Sequence, residues 1–270
     1  MQTGISTACL YPARIEDGLD ALLRLGFRRF EFFFNTVSEL EPAFVRMLSE
    51  KLGACGAAAK SVHPFTSGFE SFLLFSGYER RFADSLEFYK RYFEAADRLG
   101  ASILVLHGQR LQKAGDMDAR GYYEHYAQLF RLGQTFGITV AQENVNQFRS
   151  SDPAFLRSMK EYLGEECAFV LDLKQAVRAG QSPFETAAAM GNRLVHVHLN
   201  DHAPGKSCLL PGCGETDYGR LLRMLAAIGY RGDLIIEVYW QNFAGEEDLL
   251  RAKSFVEDLQ RKFAALSASV

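Results

Sequence analysis

"PGCGETDYGRLLRMLAAIGYRGDLIIEVYW", residues 211–240, reads as a turn, a helix, a second turn and a strand. The stretch "PGCGETDYG" (211–219) has turn residues and no further glycine pattern. "DYGRLLRMLAAIGY" (217–230) carries apolar residues at helical spacing, and its Gly229 suits a helix end. "DLIIEVYW" (233–240) is a short apolar run holding one acid, Glu237. A helix feeding such a run is the repeating unit of an α/β protein with a parallel sheet.

Seven more runs of this kind precede it: "GISTACL" (4–10), "FRRFEFFF" (27–34), "ACGAAAKSVH" (54–63), "SILVLHG" (102–108), "GITVAQEN" (137–144), "CAFVLDL" (167–173) and "LVHVHLND" (194–201). Helical patterns are expected at 14–26, 79–100, 117–137, 152–164 and 245–263, with a weaker one at 182–191. The 152–164 segment opens with an Asp N-cap and a Pro at the first helical position. Eight strands in roughly 34-residue units predict an α/β chain forming a single (β/α)8 TIM barrel over 1–270. A doubly wound open sheet is disfavoured because no G-x-G-x-x-G or G-x-x-x-x-G-K-[ST] phosphate loop occurs. The aromatic connection 63–79 is expected to be a lid or pocket wall.

Composition narrows the function classes. The net charge is -3 with both signs spread along the chain, so no basic face for nucleic acid is expected. No apolar run reaches the roughly 18 residues of a membrane span, and the N-terminus lacks a signal-peptide pattern. Five cysteines without a C-x-x-C pair read as free thiols in a reducing cytoplasm; Cys208 and Cys213 have no second pair with which to bind zinc.

The ends of the runs carry ionisable residues: His63, His107, Glu143, Asp172, His198 with Asp201 behind it, and Glu237. A lone charge in an apolar run is costly unless it is paired or metal-bound. In a barrel those ends converge on the face where such enzymes work. Glu143, Asp172, His198 and Glu237 form an oxygen-rich set that suits one divalent metal ion, Mn²⁺ or Mg²⁺ before Co²⁺ or Zn²⁺. A metal-free acid–histidine network and a set of unrelated strand-end residues are the alternatives at this point.

The motifs "AQENV", "LDLKQAVRAG", "VHVHLND" and the 211–239 stretch, preceded by "SVHP" and "LVLHG", resemble the xylose-isomerase-like TIM barrel superfamily. That superfamily includes sugar phosphate isomerases and epimerases, ketose 3-epimerases, inosose isomerases and dehydratases, and endonuclease IV. The resemblance covers nearly the whole chain. It implies metal ligation by Glu143, Asp172, His198 and Glu237, and picks the second histidine of "HVH". His196 is then expected lower in the barrel as a core histidine, and His202 on a surface loop. Asp201 is expected either beside a ligand or as a cap.

Two departures matter. The superfamily commonly carries D-x-x-H on strand six, and here Gln175 stands where the histidine would be. The D-x-H that endonuclease IV needs after strand seven is missing, so DNA repair is not expected. The resemblance implies an isomerase or epimerase acting on a sugar, sugar phosphate or cyclitol. Glu143 and Glu237 would be the acid/base pair beside a metal-bound carbonyl. An inosose-type dehydratase on the same site is the nearest rival, and a non-catalytic sugar-binding barrel is the rival of another class. His63, His107, Lys174, Gln175 and Lys206 are candidate substrate-binding residues. Tyr11, Phe34, Phe65 and Trp240 are candidate apolar walls, and Glu31 is expected to face the mouth or pair with Arg28 or Arg29. A homodimer or homotetramer fits the relatives.

Overall fold

The computed structural model describes residues 1–111 and 117–267. The expected span of 1–270 therefore includes 112–116 and 268–270, which lie outside the described residues. Eight parallel strands close into a barrel: β1 (Thr3–Ser6), β2 (Arg29–Phe33), β3 (Ala58–His63), β4 (Ile103–Leu106), β5 (Thr139–Glu143), β6 (Phe169–Asp172), β7 (Leu194–Leu199) and β10 (Leu234–Ile236). Around the barrel they run β1-β10-β7-β6-β5-β4-β3-β2. Two short antiparallel strands, β8 (Asp201–Ala203) and β9 (Lys206–Leu209), make a hairpin above β7.

The helices follow the strands as the periodicity expects: α1 (Ile15–Arg24), α4 (Glu79–Leu99), α5 (Ala119–Gln134), α6 (Pro153–Leu163), α8 (Pro183–Met190), α9 (Tyr218–Ala227) and α10 (Glu246–Ser267). Asp118, Asp152, Ser182 and Asp217 cap their helices through side-chain oxygens that accept backbone N–H groups. Their apolar faces pack on the strands, and the core is dominated by fully buried aromatics such as Phe27, Phe30, Phe32, Phe93, Tyr122 and Tyr126. Each such ring contributes about 2–3 kcal/mol of burial. Among the described residues no helix is long and apolar enough to cross a membrane.

Four differences from the sequence reading bear on the site. Residues 54–57 are not strand: a helix without a counterpart in the periodicity reading, α2 (Pro42–Ala54), runs into them and Gly56 turns the chain at φ +61°. The first strand ends at Ser6 and gives way to a 3-10 turn over Thr7–Leu10. The last strand is only three residues long, so Glu237 stands just past its end. Helices α3 (Glu70–Leu73) and α7 (Leu173–Arg178) also appear, the latter starting directly after Asp172.

Candidate metal centre and active site

At the C-terminal mouth of the barrel, four side chains converge from β5, β6, β7 and the end of β10. His198 Nδ1 lies 3.4 Å from Glu143 Oε1, 3.4 Å from Glu237 Oε2 and 3.7 Å from Asp172 Oδ2. One donor atom from each of the four lies within 4.8 Å of all the others. Two donors each about 2.1 Å from a tetrahedrally bound metal stand about 3.4 Å apart, so the spacing fits a single ion.

The chemistry of the donors fits as well. Nε2 of His198 is 3.0 Å from Glu31 Oε2. If that nitrogen carries the proton, Nδ1 presents a bare lone pair to three carboxylates, which only a cation or a second proton resolves. Nδ1 is buried and makes no hydrogen bond. Glu143 Oε2 is in the same position: ring nitrogens of His107 and His63 lie 3.1 and 3.8 Å away, neither aligned as a hydrogen bond. Glu31 thus orients a candidate ligand from behind, as carboxylates do behind metal-bound imidazoles.

The same oxygens already face one cation. Lys174, only 2% exposed, donates from Nζ to Asp172 Oδ2 and Glu237 Oε2. Lys174, expected as a substrate contact, lines the cavity above, and its ammonium also faces two of the four candidate ligands. It is a tethered positive charge in a nest of acids.

Charge sets the proton affinities here. Burial favours a neutral His198, yet Glu31, Glu237, Asp172 and Glu143 together hold the ring well above the ordinary histidine range. Burial works to raise Glu143, but the close ring nitrogens of His107, His198 and His63 outweigh it, and the carboxyl sits well below its usual value. At Glu237 burial wins over the pull of Lys174 and His198, and the carboxyl sits above its usual value. Asp172 is lowered: burial opposes, but Lys174 and His198 prevail.

The backbone around Asp172 is tightly held. Its Oδ1 accepts from Gln175 N at 3.2 Å and from Asn200 Nδ2 at 3.0 Å. Asn144 brackets its peptide with two hydrogen bonds, 2.7 and 2.9 Å. Asn144 and Asn200 follow directly on the strand-end segments of β5 and β7, and their place after Glu143 and Leu199 is the signal that could have found them.

A cavity of about 600 Å³ opens above these residues, lined by Glu143, Glu237, His63, His107, Lys174 and Gln175 among others. His63 and His107 meet through their Nε2 atoms at 3.0 Å, so one donates and the other accepts. Gln175 accepts from Asn146 N at 3.1 Å. Tyr11, Phe65 and Trp240 line the cavity as expected. Phe34 does not. It is buried in the core, and strand alternation gives the wall to Phe33, whose ring lies 4.8 Å from that of His63. Lys206 does not line the cavity either: the β8–β9 turn leaves it exposed.

Glu31 is neither at the mouth nor paired with Arg28 or Arg29. It is fully buried inside the barrel, where His196 at 3.1 Å, His198 at 3.0 Å and Ser61 at 2.8 Å surround its Oε2. His196 is the core histidine expected lower in the barrel. His202 is half-buried and meets Thr216 Oγ1 at 3.1 Å. Asp201 is a cap. Its carboxylate accepts the backbone N–H groups of His202, Gly212, Gly214 and Thr216 at 2.9–3.1 Å. Gly214 is required there, since a Cβ would stand 2.3 Å from His202 O. This clamp is what the turn at 211–216 is for.

A profile described as xylose isomerase-like TIM barrel matches residues 19–259. The chain belongs to the xylose isomerase-like TIM barrel family. Uncharacterized proteins of Mycobacterium tuberculosis (strain ATCC 25618 / H37Rv) and Mycobacterium leprae (strain TN) are 29% and 26% identical over 261 and 263 residues, covering 88% of this chain and 89% of each relative. A D-tagatose 3-epimerase-like protein superposes with a TM-score of 0.80 at 18% identity, covering 98% of this chain and 99% of that one. A D-psicose 3-epimerase crystallised in the presence of D-fructose gives 0.79 at 17%, covering 96% and 99%. At such identities these structures speak for the xylose isomerase-like fold.

Proposed function

We propose that the protein is a divalent-metal-dependent isomerase or epimerase of a sugar, sugar phosphate or cyclitol. The observation that carries this reading is the relation of Glu143 to Glu237. They come from strands three places apart around the barrel, both approach His198 Nδ1 to 3.4 Å, and both line the cavity. A substrate carbon held between them has a carboxylate on either side. Membership of the xylose isomerase-like family and the likeness to sugar 3-epimerase structures support the same reading.

Glu143, Asp172, His198 and Glu237 would hold the ion, Mn²⁺ or Mg²⁺ by the hardness of their oxygens. When bound, it supplies Lewis-acid polarisation that makes the C–H beside a carbonyl more acidic. Glu143 and Glu237 do the proton work: one removes the proton and the other returns it, through the oxygen not engaged by the cation. His63, His107 and Gln175 offer hydrogen bonds to substrate hydroxyls. Phe33, Phe65 and Trp240 exclude water and present flat apolar faces to the C–H side of a sugar.

The test combines elemental analysis of the purified protein with deuterium incorporation from D2O across a panel of ketoses and inososes. One bound divalent ion and exchange at a carbon next to the carbonyl are expected. Glu143→Gln and Glu237→Gln should each slow exchange by about 100-fold or more, with the circular dichroism spectrum unchanged. Loss of water from an inosose in place of exchange would assign the dehydratase reading. A protein with neither metal nor exchange overturns the proposal.

A further inference from the structure

The cavity above the acids continues into a second one of about 340 Å³, and Ser67, His107 and Gln175 line both. The two differ in charge. Glu143, Glu237 and Lys174 line the first, whereas no carboxylate lines the second, and its charged residues are Arg110 and Arg178. Asn146 and Gln147 add amide groups to its wall.

Both arginines are held in place, and neither forms an ion pair with a carboxylate among the described residues. Arg178 donates from Nε to Ser207 Oγ at 2.9 Å and from Nη1 to Tyr239 Oη at 3.1 Å, with its guanidinium 5.2 Å from the centre of the Tyr239 ring. Arg110 lies 5.5 Å over the Phe148 ring. Its loop is pinned: Arg110 N donates to Ser71 Oγ at 2.6 Å, and Leu111 N to Gln147 O at 2.7 Å. Arg178 keeps its Nη2 N–H groups and Arg110 its forked guanidinium edge, and such donors match a phosphate or carboxylate.

We propose that this second cavity is an oxyanion subsite, so that the substrate is a sugar-like molecule with an acidic group at the end remote from its reacting carbonyl. The inference rests on the isomerase or epimerase reading and names its substrate class. The charge arrangement orients such a molecule. Its acidic end is attracted to the arginines, which leaves the carbonyl end over Glu143 and Glu237. A neutral ketose gains nothing from the second cavity.

Equilibrium binding to the metal-loaded full chain tests this with D-fructose, D-fructose 6-phosphate and D-fructuronate. At least one acidic form should bind tenfold or more tightly than D-fructose, and the better of the two tells phosphate from carboxylate. In the Arg110→Ala/Arg178→Ala double variant that preference should disappear, with D-fructose affinity and melting temperature unchanged. Equal binding of all three ligands, or a preference that survives in the double variant, overturns the proposal. Failure of the underlying reading shows separately, as absence of bound metal and of deuterium exchange.

Discussion

Glu31 and His198 share a 3.0 Å contact at the barrel axis, and it fixes which nitrogen of the histidine faces the three carboxylates. Replacing Glu31 by Gln keeps the volume and removes the charge behind the ring. Affinity for Mn²⁺ is expected to fall by about 10–100-fold. Competition with a chromophoric chelator measures it, and an unchanged affinity would separate Glu31 from the metal centre.

Lys174 and a divalent ion compete for the same two oxygens, Asp172 Oδ2 and Glu237 Oε2. Lys174→Met is expected to tighten metal binding by about tenfold or more, equivalent to about 1.4 kcal/mol. The metal-free variant should melt lower than the metal-free parent, because three acids then lack their tethered cation, and Mn²⁺ should restore it. Calorimetric titration decides; weaker metal binding in the variant would mean that Lys174 assists the ion.

Glu70, outside the candidate ligand set, gives a pH dependence of its own. Its buried carboxyl accepts from Gly108 N at 2.6 Å and Tyr89 Oη at 2.9 Å, and burial pushes it up to about 8. An unfolded Glu titrates near about 4.3. Between those values the folded state keeps a proton that the unfolded chain has released. Stability is therefore greatest below the window and falls through it as pH rises, by about 1.4 kcal/mol per unit. Glu70→Gln should flatten this part of a curve of melting temperature against pH. An unaltered slope would place the dependence elsewhere.

Asp201 holds four backbone N–H groups with one carboxylate. Asp201→Ala strands them and should cost about 3 kcal/mol, lowering the melting temperature by roughly 5–10 °C. Scanning calorimetry measures this, and a drop within error would show that the 211–216 turn holds itself.

Much of this architecture was legible because apolar runs and their terminal charges obey simple rules. Glu143, Asp172, His198 and Glu237 each interrupt or end such a run, and the barrel brings those ends together. Glu31 was harder to place, since two arginines nearby offered it surface partners. The clue lay in its phenylalanine neighbours, which mark a position buried on both faces. Lys174 was expected as a substrate contact, and only the turn from β6 straight into α7 brings its ammonium to the acids. Nothing in "APGKS" signalled the β8–β9 hairpin, on which Lys206 stands exposed and outside the cavity lining. Helix α2 went unread because its end merges with an alanine-rich stretch that reads as strand from residue 54.

The three-residue strand β10 is the seam that joins β1 to β7, and Glu237 is the residue after it. Closing the ring and supplying the fourth candidate ligand are thus the same event along the chain. During synthesis, which runs from the N-terminus, a nascent chain that has reached only β7 carries Glu143, Asp172 and His198 without their fourth partner. The order of the elements delays a complete donor set until the barrel can shut around it.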